Sequence, residues 1–205
     1  MHGSMSILCK TLAVLAACFF LPSLACGWTD VRPLEDKPRY SLSIYSGWMT
    51  DNSLDDFIGN PDNVELESSY LLTVALARRI AVYRNLASFE VEGQIVRHFS
   101  QQNHWEFNAL LVARWEEFFW DRYLDTSFAF GAGPSYATEV PEIERRRSGD
   151  SERLQVYLLL ELEFALPAQP DIALISRIHH RSNAYGVVAD SGTSNSLTLG
   201  LKFRF

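Results

Sequence analysis

The last residues of the chain alternate strictly. Leu197, Leu199, Leu201, Phe203 and Phe205 are apolar, while Ser196, Thr198, Gly200, Lys202 and Arg204 are small or polar. A side-chain period of two marks a strand with one face in an apolar medium and the other against polar groups. Other segments repeat the pattern. Tyr40, Leu42, Ile44 and Trp48 alternate with Ser41, Ser43 and Gly47, and Phe89, Val91 and Ile95 with Glu90, Glu92 and Gln94. Trp105, Phe107, Ala109, Leu111 and Ala113 form another apolar set, less cleanly because Leu110 and Val112 intervene. Leu124, Phe128 and Phe130 mark a strand around 123–132, and Ile172, Leu174 and Ile178 one further on. Tyr70–Arg79 and Leu154–Ala165 are rich in helix formers. All six even positions from Leu154 to Phe164 are nevertheless apolar, and both segments lie among strands, so both are expected to be strands.

Eight strands of about ten residues have the length that crosses an outer membrane at a tilt. The intervening stretches sort by side. Residues 50–68, 134–152 and 183–194 are long, and 80–86, 116–121 and 166–170 are short. With the N-terminus on the periplasmic side, the long connections all lie outside, as in outer-membrane barrels; 98–103 is the one short outer connection. The expected fold is therefore all-β: an eight-stranded antiparallel transmembrane β-barrel of the outer-membrane type. Glu90, Glu92, Glu161 and Glu163 would point into its lumen, which at eight strands is just wide enough for side chains to fill. A terminal aromatic such as Phe205 is also frequent in bacterial outer-membrane barrels.

Composition changes the picture in three places. The 205 residues carry 18 Lys+Arg against 25 Asp+Glu, a net charge of −7 that argues against nucleic acid as partner. All three cysteines, Cys9, Cys18 and Cys26, precede residue 27, in and around the apolar run Thr11–Leu21. Lys10 before that run, with Ser23 and Ala25 after it, has the form of a secretory signal peptide, residues 1–25. Residues 26–205 would then form one barrel, localised to the bacterial cell outer membrane and exported without a disulfide framework. The aromatic residues Trp28, Trp48, Trp105, Trp115 and Trp120 suit an interfacial girdle.

The segment that could carry chemistry is Ile178–Ala184, at the outer end of the seventh strand. His180 and Ser182 share the parity of Ile172, Leu174 and Ile178, so the pleat turns both toward lipid, where polar groups are costly unless used. Residues i and i+2 on one strand face stand about 6.5–7 Å apart, within reach for His180 to act as general base to the Ser182 hydroxyl. Asn195 has outward parity on the eighth strand and could bond the imidazole and fix its tautomer. Asp190, in the preceding loop, is an alternative partner.

His180-Arg181-Ser182-Asn183 resembles the His-x-Ser-Asn motif of the lipid A 3-O-deacylase (PagL) family, acyloxyacyl-hydrolase-like outer-membrane enzymes. The resemblance covers roughly the last 35 residues. It implies Ser182 as nucleophile, His180 as base and Asn183 as oxyanion donor, with an ester-linked acyl chain of lipid A as substrate and lipopolysaccharide as partner. The family carries a Glu early in the last strand, where this chain has Ser194 or Asn195, and a Gly closer to the motif than Gly186. The rival reading is a non-catalytic small barrel, a scaffold, adhesin or decayed deacylase. Either reading leaves room for a homodimer.

No cofactor and no metal are expected. His98 and His104 flank a loop, without a cluster, at a polar interface. His179 has inward parity, as a lumen hydrogen-bonder. The run Glu142–Arg147 is expected as exposed loop charge, with Arg145, Arg146 and Arg147 available to lipopolysaccharide phosphates.

Overall fold

A computed structural model describes residues 32–50, 66–148, 151–182 and 193–205. Eight strands follow one another: β1 (Tyr40–Thr50), β2 (Leu66–Tyr83), β3 (Ala87–Ser100), β4 (Trp105–Trp115), β5 (Asp125–Ala137), β6 (Leu154–Leu166), β7 (Gln169–Ser182) and β8 (Thr193–Arg204). Each pairs with its sequence neighbour, and β1 pairs antiparallel with β8, closing the barrel. Closure removes both sheet edges, so the ladder groups of each strand find partners on both sides. A short helix, α1 (Glu142–Ser148), lies between β5 and β6.

Alternation decides which side chain goes where. Ile44, Leu72, Leu76, Ile95, Phe130 and Leu162 all face outward and are exposed, and Leu111, at 67 %, is the most exposed large apolar side chain on the strands. A surface in water would not present so continuous an apolar band. Aromatic residues concentrate toward the two ends: Trp48, Tyr70, Phe99, Trp105 and Tyr136 at one, Tyr40, Tyr83, Trp115 and Phe205 at the other. Trp120 instead lies in the β4–β5 connection and donates to Thr126 Oγ1 at 2.9 Å.

Both segments with helix-forming composition are strands. Leu154, Val156, Leu158, Leu160, Leu162 and Phe164 stand on the outer face of β6, and Gln155, Tyr157, Leu159, Glu161 and Glu163 are buried inside. A helix would have mixed the two sets. β2 runs to 18 residues, well beyond the expected Tyr70–Arg79. The fifth strand begins later than expected, at Asp125, and continues through Gly133 and Pro134 to Ala137, into the expected 134–152 connection. Pro134 has no N–H to give, and β4–β5 pairing is interrupted there, between Asn108↔Ser135 and Leu111↔Ala132. Gly133 permits the close approach: a Cβ there would sit 1.8 Å from the Ala109 carbonyl oxygen.

The interior is filled by a charge network. The Arg177 guanidinium donates to both oxygens of Glu92 at 2.7 and 2.9 Å and also to Glu161. Its carbon stands 4.7 Å from the centre of the Tyr45 ring. Arg114 donates to Glu161 at 2.7 Å and to Glu90 at 3.2 Å. Lys202 reaches Glu161 and Glu163, both at 2.6 Å, and Arg204 pairs with Glu163. Buried charges of both signs therefore neutralise one another within the lumen, the arrangement that makes their burial tolerable. Two small apolar clusters, Leu110–Val112–Ala129–Tyr157–Leu159 and Tyr45–Ala75–Ile175, complete the packing. At the end bearing the chain's first described residues, Lys37 is buried and donates to Asp125 at 3.0 Å.

Candidate functional site at the barrel rim

Strand register brings the polar residues of β7 and β8 into rows. His180 is the direct partner of Asn195, and Ser182 of Thr193. Asn195 is in turn opposite Thr50 on β1, and His180 opposite Leu158 on β6. The outward row one pair nearer mid-barrel is Trp48, Leu197, Ile178 and Leu160, wholly apolar. The polar row thus begins where the apolar band ends.

Within it, His180 Nδ1 lies 2.5 Å from Asn195 Oδ1. An amide oxygen only accepts, so Nδ1 carries the proton and Nε2 presents its lone pair. That is the tautomer a general base requires. His180 and Ser182 are half-buried on the outer face, as their parity predicts, and Asn195 is fully buried. Thr50 is also fully buried, and its Oγ1 has no hydrogen-bond partner among the described residues. The sequence reading did not single out Thr50, because its place beside Asn195 follows only from the β1–β8 closure. Asn183, Asp190, Gly186, Trp28, the cysteines and the signal-peptide segment fall outside the described residues.

The residues alternating with this row hold it from inside. Arg181, between His180 and Ser182, donates to Glu144 Oε1 and Oε2 at 2.8 and 2.7 Å. It also reaches Ser135 Oγ at 3.0 Å and the carbonyls of Glu152 and Arg153. Ser194, the register partner of Arg181, donates to Glu144 Oε1 at 2.8 Å. The expectation of exposed charge over 142–147 is therefore corrected at Glu144, which is fully buried. α1 turns this carboxylate into the lumen, where Arg181 and Ser194 satisfy it. Arg145 pairs with Glu142, and Arg146 donates to Gln101 Oε1 at 2.6 Å, both on the exposed side.

A second polar cluster occupies the same end of the lumen. His98 and His104 are each 3 % exposed, so neither sits at an interface as the loop position had suggested. Their parity turns both inward. His98 Nε2 is 2.9 Å from Glu106 Oε2, and His179 Nε2 is 3.0 Å from Glu106 Oε1. The His98 and His104 rings stack at 4.3 Å between centroids. Burial, reinforced by the neighbouring His98, holds the His104 imidazole down at about 3, so it is neutral at physiological pH.

No protein-family model and no curated protein matches this sequence. Solved structures do. The outer membrane enzyme PagL matches with a TM-score of 0.53 at 11 % identity, over 80 % of this chain and 99 % of that one. Neisserial surface protein A (NspA) matches with a TM-score of 0.50 at 12 % identity, over 81 % of this chain and 96 % of that one. At such identities the likeness is one of fold, and the chain is an eight-stranded antiparallel barrel of the outer-membrane type.

Proposed function

We propose that this protein is an outer-membrane serine esterase that hydrolyses an ester-linked acyl chain of lipid A. One observation carries the reading: the His180–Asn195 contact on the outer face, in the row just beyond the apolar band. A Ser–His pair there meets the outer leaflet, where lipopolysaccharide presents its acyl esters at the height of the polar–apolar boundary.

In the proposed reaction His180 Nε2 takes the Ser182 proton as Oγ attacks the ester carbonyl. The imidazolium then returns that proton to the leaving alkoxide, and water releases the fatty acid from the acyl-enzyme by the same route in reverse order. Asn195 accepts from Nδ1–H throughout and keeps the ring oriented. Asn183, with nearby backbone N–H groups, is the proposed donor to the oxyanion. Residues 1–25 serve as the export signal in this reading.

A second reading, a barrel without catalysis, is favoured by one feature. Asn195 is an uncharged amide, which stabilises an imidazolium less than a carboxylate does. Mass spectrometry of lipid A from cells carrying wild type or Ser182→Ala separates the two. Loss of one acyl chain with wild type but not with Ser182→Ala supports the esterase. Identical lipid A in both, with both barrels folded, overturns it.

A further inference from the structure

The lumen cluster beneath the rim is chemically distinct from the charge network at mid-barrel. Its donors are imidazole nitrogens around a single carboxylate, and one ligand atom each from His98, His104 and Glu106 lie within 4.8 Å of one another. All three side chains are nearly inaccessible. Glu106 is bonded by His98 Nε2, His179 Nε2 and the Ser135 hydroxyl, so only one nitrogen of each of these two imidazoles is used. His98 Nδ1, His104 Nε2 and His179 Nδ1 are buried without a hydrogen-bond partner among the described residues. Buried polar atoms are nearly always satisfied, and leaving one unpaired costs about 1–3 kcal/mol. Three such atoms in one cluster point to a ligand that accepts lone pairs from imidazole.

We propose that His98, His104 and Glu106 form a binding site for a divalent transition metal ion of the zinc type. Two imidazoles and a carboxylate make a borderline nitrogen–oxygen donor set that suits Zn²⁺, whereas Ca²⁺ and Mg²⁺ take oxygen ligands. His179 bonds the second oxygen of Glu106 and orients the carboxylate from behind, the usual outer-shell arrangement. Binding requires the near-parallel His98 and His104 rings, 16° apart, to tilt until their lone pairs converge. His104 lies in the connection between β3 and β4, outside the ladder, so its ring turns without breaking strand pairing. The ion would join the β3–β4 hairpin to β7 at His179, the residue preceding His180. The site faces the lumen and does not depend on the rim chemistry.

Isothermal titration of the refolded, tag-free barrel in detergent with zinc chloride tests this, supported by Co²⁺ absorption. The expected result is one Zn²⁺ per barrel, with Co²⁺ bands of a four-coordinate nitrogen–oxygen site. His104→Ala should weaken binding at least about tenfold, and His179→Ala about tenfold, as outer-shell losses do. Ser182→Ala should bind as wild type. Glu106→Gln removes a carboxylate from the lumen and serves only if it folds by gel mobility; His104→Ala, in the connection, decides otherwise. Absence of saturable binding by the folded wild type, or equal binding by folded His104→Ala, overturns the proposal.

Discussion

His180 and Asn195 face each other across β7 and β8 as register partners, with Nδ1 and Oδ1 2.5 Å apart. The contact belongs to the ladder itself, so neither side chain needs a flexible loop to find the other. Asn195→Ala should leave the barrel folded and cut the rate of acyl release about 10²-fold or more, within the range of general-base contributions. The near-isosteric Asn195→Asp should raise kcat above wild type, because a carboxylate stabilises the imidazolium formed in the transition state. Both follow from kcat measured on lipid A in detergent micelles. An Asn195→Ala variant as active as wild type would remove Asn195 from the mechanism.

Arg181 and Glu144 are both buried and bound through two hydrogen bonds. Arg181→Met leaves the Glu144 carboxylate without its cation inside the lumen, a loss that typically costs about 3–5 kcal/mol. Urea titration of the refolded barrel should show a correspondingly lower midpoint. Double substitution with Glu144→Leu should recover part of that loss, since the stranded charge is then gone. Acyl release should fall with Arg181→Met even under conditions where the barrel is folded, because Arg181 holds the strand segment between His180 and Ser182.

Two glycines, on β5 and β3, make opposite predictions. A Cβ on Gly133 would stand 1.8 Å from the Ala109 carbonyl oxygen, whereas one on Gly93 meets nothing within 4 Å. Gly133→Ala should force β4 and β5 apart and reduce the yield of heat-modifiable, folded barrel. Gly93→Ala should fold as wild type or slightly better, since it loses backbone freedom only in the unfolded chain. Gel mobility of boiled and unboiled samples reads both.

His104 makes stability depend on pH. Its ordinary value of 6.5 is lowered to about 3 by burial first and by His98 second; Glu106 opposes the shift, and Arg181 and Arg97 add to it. Between those values the unfolded chain binds a proton that the folded barrel refuses. Stability from this group is therefore full above pH 6.5 and falls as pH drops toward 3. In a chelator-treated protein the urea midpoint should be lower at pH 4.5 than at pH 7.5. His104→Gln should narrow that difference; an unchanged difference would place the acid sensitivity elsewhere.

The alternation from Leu154 to Phe164 was sufficient to specify a strand against its own helix propensity. Parity also sent His180, Ser182 and Asn195 outward and Glu161 and Glu163 inward. These are local consequences of a two-residue repeat, so each strand carries them in its own residues. Boundaries were less legible. The outer connection was expected to begin at Pro134, yet β5 passes through it because the chain forgoes pairing with β4 there.

Sequence by itself determined the strand faces, the count of eight and the rim position of the His–Ser pair. Only the closed barrel decided who meets whom across it. Thr50 reaches Asn195 through the pairing of first and last strands, and Glu144 enters the lumen because a short helix folds inward over Arg181. His98, His104, Glu106 and His179 come from β3, the next connection, β4 and β7, and converge only when the sheet curls on itself. The physical reason is range: pleat direction is set by adjacent bonds, whereas convergence across a lumen depends on strand number and register of the whole sheet.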